Sequence, residues 1–456
     1  MQPIVATWEN FRGFAKPTTF HFPRITVLIG RNNVGKTSAY TPLLAMRQTL
    51  SARDPQTALL SRGDAVDIGP FRDYVTQHDE RRNVTLTITV PEIPRLESQE
   101  FTATTLEVQF DSLDGDTPRL RRHRLLDDRG RPLITRTREQ DGKRFAVTSQ
   151  LLPSTQSVGR PPREITQLRK GMREERPKGF LFNGFGGLLL PRSWRQNEDR
   201  WEKARPWFSA ASDMYDTYSF FNHRLVELLE GISYLGPLRS LPLRTYRRAA
   251  ELPTDVGREG EHAPEILFRL GESAEKQRVS YWLEKLGYGT IEFDDVGDEF
   301  FRLNLRTRSG LLVNFAHSGI GLSQLLPLLV QGVALGNGDT FIAQQPEIHL
   351  NPAQQLIITD FLIEVAQRGG RVVVETHSEH VLLRLRRRMA EMSELDSNDV
   401  ALYFFDNRDG ATVSERIPIS DDGGIERESW PAGFFEEQLR DSMALALAQS
   451  RGAADA

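Results

Sequence analysis

Residues 30–37 read GRNNVGKT, a loop bounded by glycines that ends in a lysine and a threonine. Backbone amides in such a loop, together with the N-terminus of a following helix, can surround phosphate oxygens. Lys36 is then expected to reach the β- and γ-phosphates of a nucleotide, and Thr37 to offer its hydroxyl to Mg²⁺. The motif predicts a nucleotide-binding site formed by nine consecutive residues: Gly30, Arg31, Asn32, Asn33, Val34, Gly35, Lys36, Thr37 and Ser38.

A second glycine-containing segment, SGIGLSQ at 318–324, precedes an apolar helical run. Its glycines would let the backbone approach a phosphate closely, and either of its serines could donate a hydrogen bond. A glycine-rich turn ahead of a core helix is the structural alternative. The candidate phosphate contacts of this segment are Ser318, Gly319, Gly321, Ser323 and Gln324.

Two further segments place polar residues at the ends of apolar strands: FIAQQPE at 341–347 and VVETHS at 373–378. Their candidate catalytic residues are Gln344, Gln345, Glu347 and His377. A lone histidine at a strand end is more often structural, but the neighbouring motifs favour a functional role here.

The elements that must position these residues alternate between strand and helix patterns. The run 25–29 is β-branched and apolar, as expected of a strand buried on both faces. A helix is predicted over 37–49, with Pro42 as a kink near its start. The spacing of later strands and helices predicts parallel βαβ units. Strands are expected at 4–8, 18–22, 84–90, 232–235, 291–293, 301–305, 311–315, 340–343 and 371–375, and helices at 211–229, 322–335 and 353–367.

The predicted fold class is α/β. We expect a P-loop nucleotide-binding domain, called the head below, with a mixed or parallel central sheet, N-terminal antiparallel strands and an inserted arm. The expected boundaries are 1–92 for the first half of the head and 93–230 for an inserted arm or helical subdomain. Residues 231–408 would complete the head and 409–456 would form a C-terminal extension.

Composition narrows the class of protein. With 39% hydrophobic and 26% charged residues among 456, the chain is typical of soluble globular proteins. The net charge of -4 gives no overall attraction to nucleic acid, and the absence of cysteine excludes disulfides and a thiol nucleophile. No signal peptide and no membrane-spanning run is expected, which favours the cytoplasm.

Three basic runs are candidate nucleic-acid surfaces, although solvated or salt-bridged surface is the favoured explanation for each. They comprise Arg119, Arg121, Arg122 and Arg124; Arg239, Arg244, Arg247 and Arg248; and Arg384, Arg386, Arg387 and Arg388.

The order and spacing of the motifs resemble the signature, Walker B and switch-histidine motifs of ATP-binding-cassette (ABC) ATPases. The OLD-like and RecF-like soluble branch is the most similar. The opening WENFRGF, together with YLGPLR at 234–239 and WPAGFFE at 430–436, looks like marks of one bacterial subfamily with a short C-terminal extension. The resemblance covers roughly residues 1–90 and 230–440.

The resemblance implies two ATP molecules with Mg²⁺ held between two heads, with the phosphate loop of one facing the signature of the other. It implies a homodimer or higher even oligomer, a metal site at Thr37 and residue 344, and a γ-phosphate sensor at His377. The implied partners are a separately encoded effector, a nuclease or toxin, and DNA. Anti-phage defence and genome maintenance are the implied roles.

Gln344 departs from the pattern, because the family has a metal-holding carboxylate at that position. A glutamine cannot accept a proton, so ATP binding is expected to be retained and hydrolysis impaired. The glutamine is either natural or an engineered Glu→Gln change. Asn351 also departs, from the histidine that usually follows Leu350.

Two other functions remain open. A neutral residue 344 suits an ATP-stabilised scaffold or sensor whose dimer state is the signal. An OLD-type nuclease is disfavoured, because the chain after His377 holds no Asp-x-Asp pair for a Toprim metal site.

Overall fold

The computed structural model describes residues 1–93, 102–140, 142, 144–174, 179–181, 198–408, 410–426, 428 and 430–431. A six-stranded sheet carries the motifs, in the order β17-β16-β3-β15-β14-β9. All neighbours in it are parallel except β16 and β17, which form an antiparallel hairpin. Its strands are β3 (Ile25–Gly30), β9 (Ile232–Leu235), β14 (Thr340–Gln344), β15 (Arg371–Glu375), β16 (Val400–Arg408) and β17 (Ala411–Ile417).

A seven-stranded antiparallel sheet lies beside it, in the order β2-β1-β4-β5-β6-β7-β8. The predicted inserted arm is therefore not helical throughout, because its first part adds four strands to this sheet. Alternating buried and partly exposed side chains explain why these segments form strands with one face on the core. The strands are β1 (Ile4–Glu9), β2 (Thr18–Phe22), β4 (Val84–Thr89), β5 (Ala103–Asp111), β6 (Arg119–Asp127), β7 (Pro132–Arg138) and β8 (Phe145–Ser149).

A small antiparallel sheet contains β10 (Tyr246–Arg247), β11 (Thr290–Val296), β12 (Phe300–Arg306) and β13 (Leu312–Asn314). The helices are α1 (Thr41–Leu50), α2 (Phe71–Tyr74), α3 (Thr155–Val158), α4 (Arg163–Glu174), α5 (Glu198–Glu230), α6 (Ala263–Arg269), α7 (Ala274–Lys285), α8 (Ile320–Ala334), α9 (Pro352–Gln367) and α10 (Glu379–Glu391). Short 3-10 turns cover Lys36–Ala39, Thr76–His78 and Phe315–His317.

The parallel sheet separates two hydrophobic cores. On β3, Leu28 faces the core shared with α1, α5 and the antiparallel sheet, whereas Val27 and Ile29 face the core built with α8, α9 and α10. β14 and β15 alternate in the same way. Every residue of β3 and β15 is buried, as expected of parallel strands covered on both faces. The ends of these strands are thereby held rigidly.

Most predicted strands and helices are confirmed, including the parallel order of β14 and β15 and the return of residues 232–235 to the central sheet. The predicted helix over 37–49 is wrong at its start. Lys36–Ala39 forms a 3-10 turn, and α1 begins at Thr41 with Pro42 in its first turn. Proline lacks an amide proton and is tolerated only where no intrahelical donor is needed, so it marks a helix start rather than a kink.

Two further predictions concern segments that the structure describes only in part. The element WPAGFFE lies mostly outside the described residues, as does most of the predicted extension 409–456. The four-part domain division stays a prediction. Among the described residues, no helix is long and apolar enough to cross a membrane.

One buried hydrogen bond ties the antiparallel sheet to the phosphate loop. The indole N–H of Trp8 donates to the carbonyl of Ala39 at 2.8 Å, and both residues are fully buried. We expect Trp8→Phe to lower the free energy of unfolding by about 1–3 kcal/mol, because the buried carbonyl of Ala39 loses its hydrogen-bond donor. The smaller side chain also loses packing contacts. The midpoint of chemical denaturation measures this.

Trp282→Phe is the matched control. Trp282 is also buried, but its indole N–H has no hydrogen-bond partner among the described residues. Its replacement by Phe removes a similar volume but leaves no acceptor without its hydrogen bond. Equal losses in the two variants would show that the bond from Trp8 contributes nothing.

Candidate nucleotide site

The phosphate loop leaves β3 and enters the 3-10 turn with two glycines at positive φ. Gly35 has φ 96°, and a Cβ there would lie 2.8 Å from Oγ1 of Thr412. Gly30 has φ 145°, and a Cβ there would lie 2.4 Å from the carbonyl oxygen of Phe405. Glycine is therefore required at both positions by backbone conformation and by space. The β16–β17 hairpin packs directly against the loop.

Thr37 lies at the meeting point of the loop and two strand ends. Its hydroxyl is 3.0 Å and 3.3 Å from the two carboxylate oxygens of Glu375, at the end of β15. The hydroxyl of Tyr40 donates to the same carboxylate at 2.8 Å. Tyr40 and Glu375 are buried, and burial and the nearby carboxylate raise the pKa of Tyr40, which stays a donor. A carboxylate is thereby fixed beside the threonine expected to meet Mg²⁺.

Gln344 reaches the same hydroxyl from the end of β14. Its amide nitrogen is 3.4 Å from Oγ1 of Thr37, and its amide oxygen accepts from the hydroxyl of Tyr234 at 2.6 Å. Burial raises the pKa of Tyr234 to about 12, so Tyr234 remains a donor at neutral pH. This orientation turns the N–H₂ group, which cannot bind a cation, toward Thr37, where the resemblance implies a metal.

The chain turns sharply after Gln344. Gln345 has φ 47°, a left-handed conformation that is uncommon for a residue with a side chain. Its amide donates to the carbonyl of Glu375 at 2.7 Å. The turn brings Glu347 back to the site, where Oε1 accepts from the amide of His377 at 2.8 Å. The loops after β14 and β15 are thus joined at two points.

Glu347 keeps one oxygen unused. Oε2 is buried and accepts no hydrogen bond in the part of the chain that the structure describes. Burial raises the pKa of this carboxyl, and its interactions with the amide of His377 and the side chain of Thr376 oppose that rise. A partly desolvated carboxylate with a free oxygen is suited to orient a water molecule or accept its proton.

Lys36 and His377 lie beside these acids. The ammonium of Lys36 donates to the carbonyls of Gly30 and Arg31, at 3.1 Å and 2.7 Å. Burial lowers its pKa, and the charges of Glu375 and Glu347 oppose that effect. Burial and the charge of Lys36 lower the pKa of His377, which favours a neutral imidazole at physiological pH.

Arg239 connects this cluster to the signature helix. It is buried, and its guanidinium donates to the carbonyl of Gln324 on α8 at 2.6 Å and lies 3.5 Å from the carbonyl of Gln344. Burial lowers its pKa to about 10, and the charge of Glu347 opposes this. Its assignment to a nucleic-acid surface is therefore wrong, because a buried arginine cannot meet a phosphate backbone.

The signature residues fall into two groups. Gly319 is exposed and caps α8, and Ser318 and Gly321 are partly exposed beside it. Ser323 and Gln324 are buried, with the hydroxyl of Ser323 donating to the carbonyl of Ile320. Of the two serines that the sequence left open, Ser318 is therefore the one that a second molecule can reach.

Two family models match the chain. One, described as an AAA domain, putative AbiEii toxin, type IV toxin–antitoxin system, matches residues 25–384. The other, described as a protein of unknown function (DUF3696), matches residues 395–445. The first covers well over half of the chain and spans every motif of the site. This chain belongs to the AAA-domain family.

Several solved structures similar to the chain are heads of SMC proteins. One, bound to the C-winged helix domain of ScpA, has 12% identity and a TM-score of 0.41, covering 92% of this chain and 98% of that chain. The SMC head domain from Thermotoga maritima has 9% identity and a TM-score of 0.36, covering 92% and 100%.

A third SMC head, with an extended coiled coil and derived from Pyrococcus furiosus, is bound to the C-terminal domain of ScpA. It has 10% identity and a TM-score of 0.39, covering 92% and 97%. No curated protein matches the chain.

The AAA-domain site contains residues that the sequence analysis did not assign. Glu375 lies in the segment VVETHS, where the motif pattern points to His377, two residues later. Tyr40 lies in no motif, and Tyr234 opens the element YLGPLR but was given no role in the site. Arg12, in the opening element, donates to the hydroxyl of Ser38 at 3.3 Å. Asn351, noted as a departure, caps α9 by accepting from the amide of Gln354 at 3.0 Å.

Most arginines of the basic runs have acidic partners. Arg119 pairs with Asp111, and Arg122 and Arg124 both pair with Glu107. The other pairs are Arg247 with Glu299, Arg248 with Asp295, Arg384 and Arg388 with Asp360, and Arg387 with Glu391. Salt-bridged surface is thus the better explanation of these runs.

The buried carboxyl of Glu347 makes stability depend on pH. Because its pKa is raised in the folded state, ionisation as pH increases through that pKa destabilises the fold. Gln cannot ionise. We expect the Glu347→Gln variant to gain stability relative to wild type as pH rises from 4.5 through the raised pKa of Glu347, by about 1.4 kcal/mol for each unit of that rise.

Thermal midpoints of both proteins across this range test the prediction. Glu299→Gln is the control, because the side chain of Glu299 is 67% exposed and water solvates it in both states. A stability difference that is the same at every pH would contradict a raised pKa at Glu347.

Proposed function

We propose that two copies of this chain close around two Mg-ATP molecules and pass that closure to a partner. One observation carries the proposal: a complete phosphate loop, a carboxylate, a second carboxylate with a free oxygen and a histidine meet at the ends of β3, β14 and β15. The signature segment is a separate, outward-facing surface. Such a site supplies one half of a composite nucleotide site and needs a second copy for the other.

The residues fit Mg-ATP. Oε2 of Glu347 is a buried acceptor without a partner among the described residues, and no group of three His, Asp or Glu side chains there could hold a metal alone. Mg²⁺ suits such a site, because it is commonly held by one or two carboxylates plus substrate phosphates. When bound, it neutralises charge on the phosphate oxygens.

The chain's own residues then have separate tasks. Lys36 releases the carbonyls of Gly30 and Arg31 and pairs with the phosphates as a point charge. Oε2 of Glu347 accepts a hydrogen bond from the attacking water and receives its proton. His377, neutral and next to Lys36, donates to a γ-phosphate oxygen. The amide of His377 holds Glu347 in place throughout.

Gly319 supports the composite site. It has φ -62°, which any residue adopts, and a Cβ there would meet nothing within 4 Å. The chain's own fold therefore gives no reason for glycine. A phosphate of nucleotide bound to a second copy, approaching the N-terminus of α8, provides one.

Partner and role rest on the resemblance and on the family's description, which names a putative toxin of a type IV toxin–antitoxin system. We propose a separately encoded effector, a nuclease or toxin, in anti-phage defence or genome maintenance in the bacterial cytoplasm. The paired arginines give DNA less support than a protein partner.

A second candidate is an ATP-stabilised scaffold or sensor. The observation that favours it is Gln344, whose amide nitrogen rather than a carboxylate faces Thr37. Closure would then persist because ATP is held and turned over slowly. Single-turnover hydrolysis separates the two candidates. An ATPase that passes closure to a partner must hydrolyse its ATP to reopen, whereas a scaffold need not.

Gly319→Ala tests the composite site. We expect the monomer to be as stable as wild type or more stable by about 0.4–1 kcal/mol, because alanine restricts the unfolded chain. The added methyl group should weaken ATP-dependent dimerisation by about tenfold or more through steric clash with the second copy's phosphates. Sedimentation with and without Mg-ATP measures it.

Gly171→Ala is the matched control. Gly171 lies within α4, and a Cβ there would also meet nothing within 4 Å. It is expected to dimerise like wild type. Normal ATP-dependent dimerisation of Gly319→Ala would remove the signature segment from the interface.

Gln344→Glu tests the role of the neutral residue. We expect phosphate release to accelerate by at least about tenfold, which corresponds to about 1.4 kcal/mol in the barrier. The reason is that a carboxylate replaces an amide beside Thr37. Gln367→Glu adds the same charge at the exposed end of α9 and serves as control. An unchanged rate in Gln344→Glu would remove Gln344 from the mechanism.

A further inference from the structure

We propose that Glu375 holds the Mg²⁺ of the nucleotide, in place of the carboxylate missing at Gln344. Glu375 lies on β15, which is one strand closer to β3 and the phosphate loop than Gln344 on β14. This inference rests on the proposed function, because it assumes that Mg-ATP binds at the loop.

Strand order supplies the first argument. β15 lies between β3 and β14, and Glu375 is the register partner of Gln344 on one side and of Leu28 on the other. The carboxyl ends of parallel strands meet at one edge of the sheet. A side chain at the end of β15 therefore reaches the loop that follows β3 at least as easily as one at the end of β14.

Contacts with Thr37 supply the second argument. Both oxygens of Glu375 lie within 3.3 Å of the threonine hydroxyl. A group that shares a hydrogen bond with that hydroxyl is placed to share its metal or the metal's water shell. Among the described residues, Glu375 is the carboxylate that contacts Thr37. Gln344 contacts it too, but without charge and through a nitrogen.

The charge of Glu375 supplies the third argument. The residue is 4% exposed, and no lysine, arginine or histidine forms an ion pair with it in the described part of the chain. Its partners are the neutral hydroxyls of Thr37 and Tyr40. The nearby ammonium of Lys36 bonds to loop carbonyls instead. A buried carboxylate without a cation in contact is costly, and a divalent cation would compensate it.

Tyr40 explains how the carboxylate is presented. Its hydroxyl donates to Oε2, the oxygen that is also closer to Thr37. Oε2 is thereby anchored, and Oε1 retains lone pairs for a metal or a metal-bound water. Tyr40 is in this respect a positioning residue, fixed by its complete burial behind the 3-10 turn.

The competing explanation is structural: Glu375 anchors the phosphate loop through Thr37 and Tyr40 and touches no metal. The two explanations differ in metal dependence. An anchor affects nucleotide binding equally with and without Mg²⁺, whereas a metal-holding residue affects binding only when the metal is present.

Binding of a fluorescent ATP analogue to the full chain, in EDTA and in Mg²⁺, separates them. We expect Glu375→Gln to lose about 10- to 100-fold in Mg²⁺-dependent affinity and to bind the metal-free analogue as well as wild type or better. Mn²⁺ titration followed by electron paramagnetic resonance in the presence of ATP should show the same loss. The ligand-free thermal midpoint, expected not to fall, checks folding.

Three results would overturn the inference. Glu375→Gln could retain the full effect of Mg²⁺. It could lose affinity equally in EDTA and in Mg²⁺, as an anchor would. Gln344→Ala rather than Glu375→Gln could abolish the effect of Mg²⁺, which would place the metal on residue 344.

A failure of the proposed function looks different. In that case wild type binds the analogue neither in EDTA nor in Mg²⁺, and Lys36→Ala behaves like wild type. Binding that Lys36→Ala abolishes in both conditions keeps the proposed function, whichever residue holds the metal.

Discussion

The hydroxyl of Thr37 is the point on which the site depends. It is within hydrogen-bond distance of Glu375 on β15 and Gln344 on β14, and it belongs to the turn that follows β3. Three strand ends therefore converge on one oxygen atom. The convergence is possible because all three strands are parallel and buried on both faces, so their carboxyl ends share an edge and cannot shift independently.

The same edge concentrates buried charge. Lys36, Glu375, Glu347 and Arg239 are all buried or nearly so, and each has neutral hydrogen-bond partners rather than a direct ion pair among the described residues. For Lys36, Arg239 and Glu347, burial favours the neutral form, and the opposite charges nearby oppose this effect on the pKa. Such an arrangement is unfavourable for stability and suited to a ligand that carries both negative phosphates and a cation.

Sequence patterns predicted the scaffold of this site better than its chemistry. β3, β14 and β15 were predictable because each is a short apolar run bounded by polar or glycine residues, and the phosphate loop because its spacing is specific. The start of α1 was missed because Pro42 fits a kink and a first turn equally well. The extension of the antiparallel sheet by β5–β8 was missed because strands with one polar face carry a weak signal among proline-containing segments.

Glu375 shows why the site could not be completed from sequence. The sequence around a glutamate at the end of an apolar strand does not indicate which side chains will contact it. Its meaning comes from strand order, which places β15 between β3 and β14 although β14 precedes it in the chain. Tyr40 and Tyr234 are similar cases, since their hydroxyls matter only through acids and amides on other strands. Spacing along the chain cannot report such neighbours.

Arg239 connects the helix that follows the signature segment to the end of β14. It joins the carbonyl of Gln324 on α8 to the carbonyl of Gln344 at the end of β14. α8 begins at the exposed signature segment, so in the proposed dimer a displacement of Gly319 would act on a helix that the buried guanidinium of Arg239 connects to the end of β14. Helices transmit such displacements because they are stiff along their axis. In the proposed dimer, this contact would couple closure around nucleotide to the end of β14, whether or not ATP is subsequently hydrolysed.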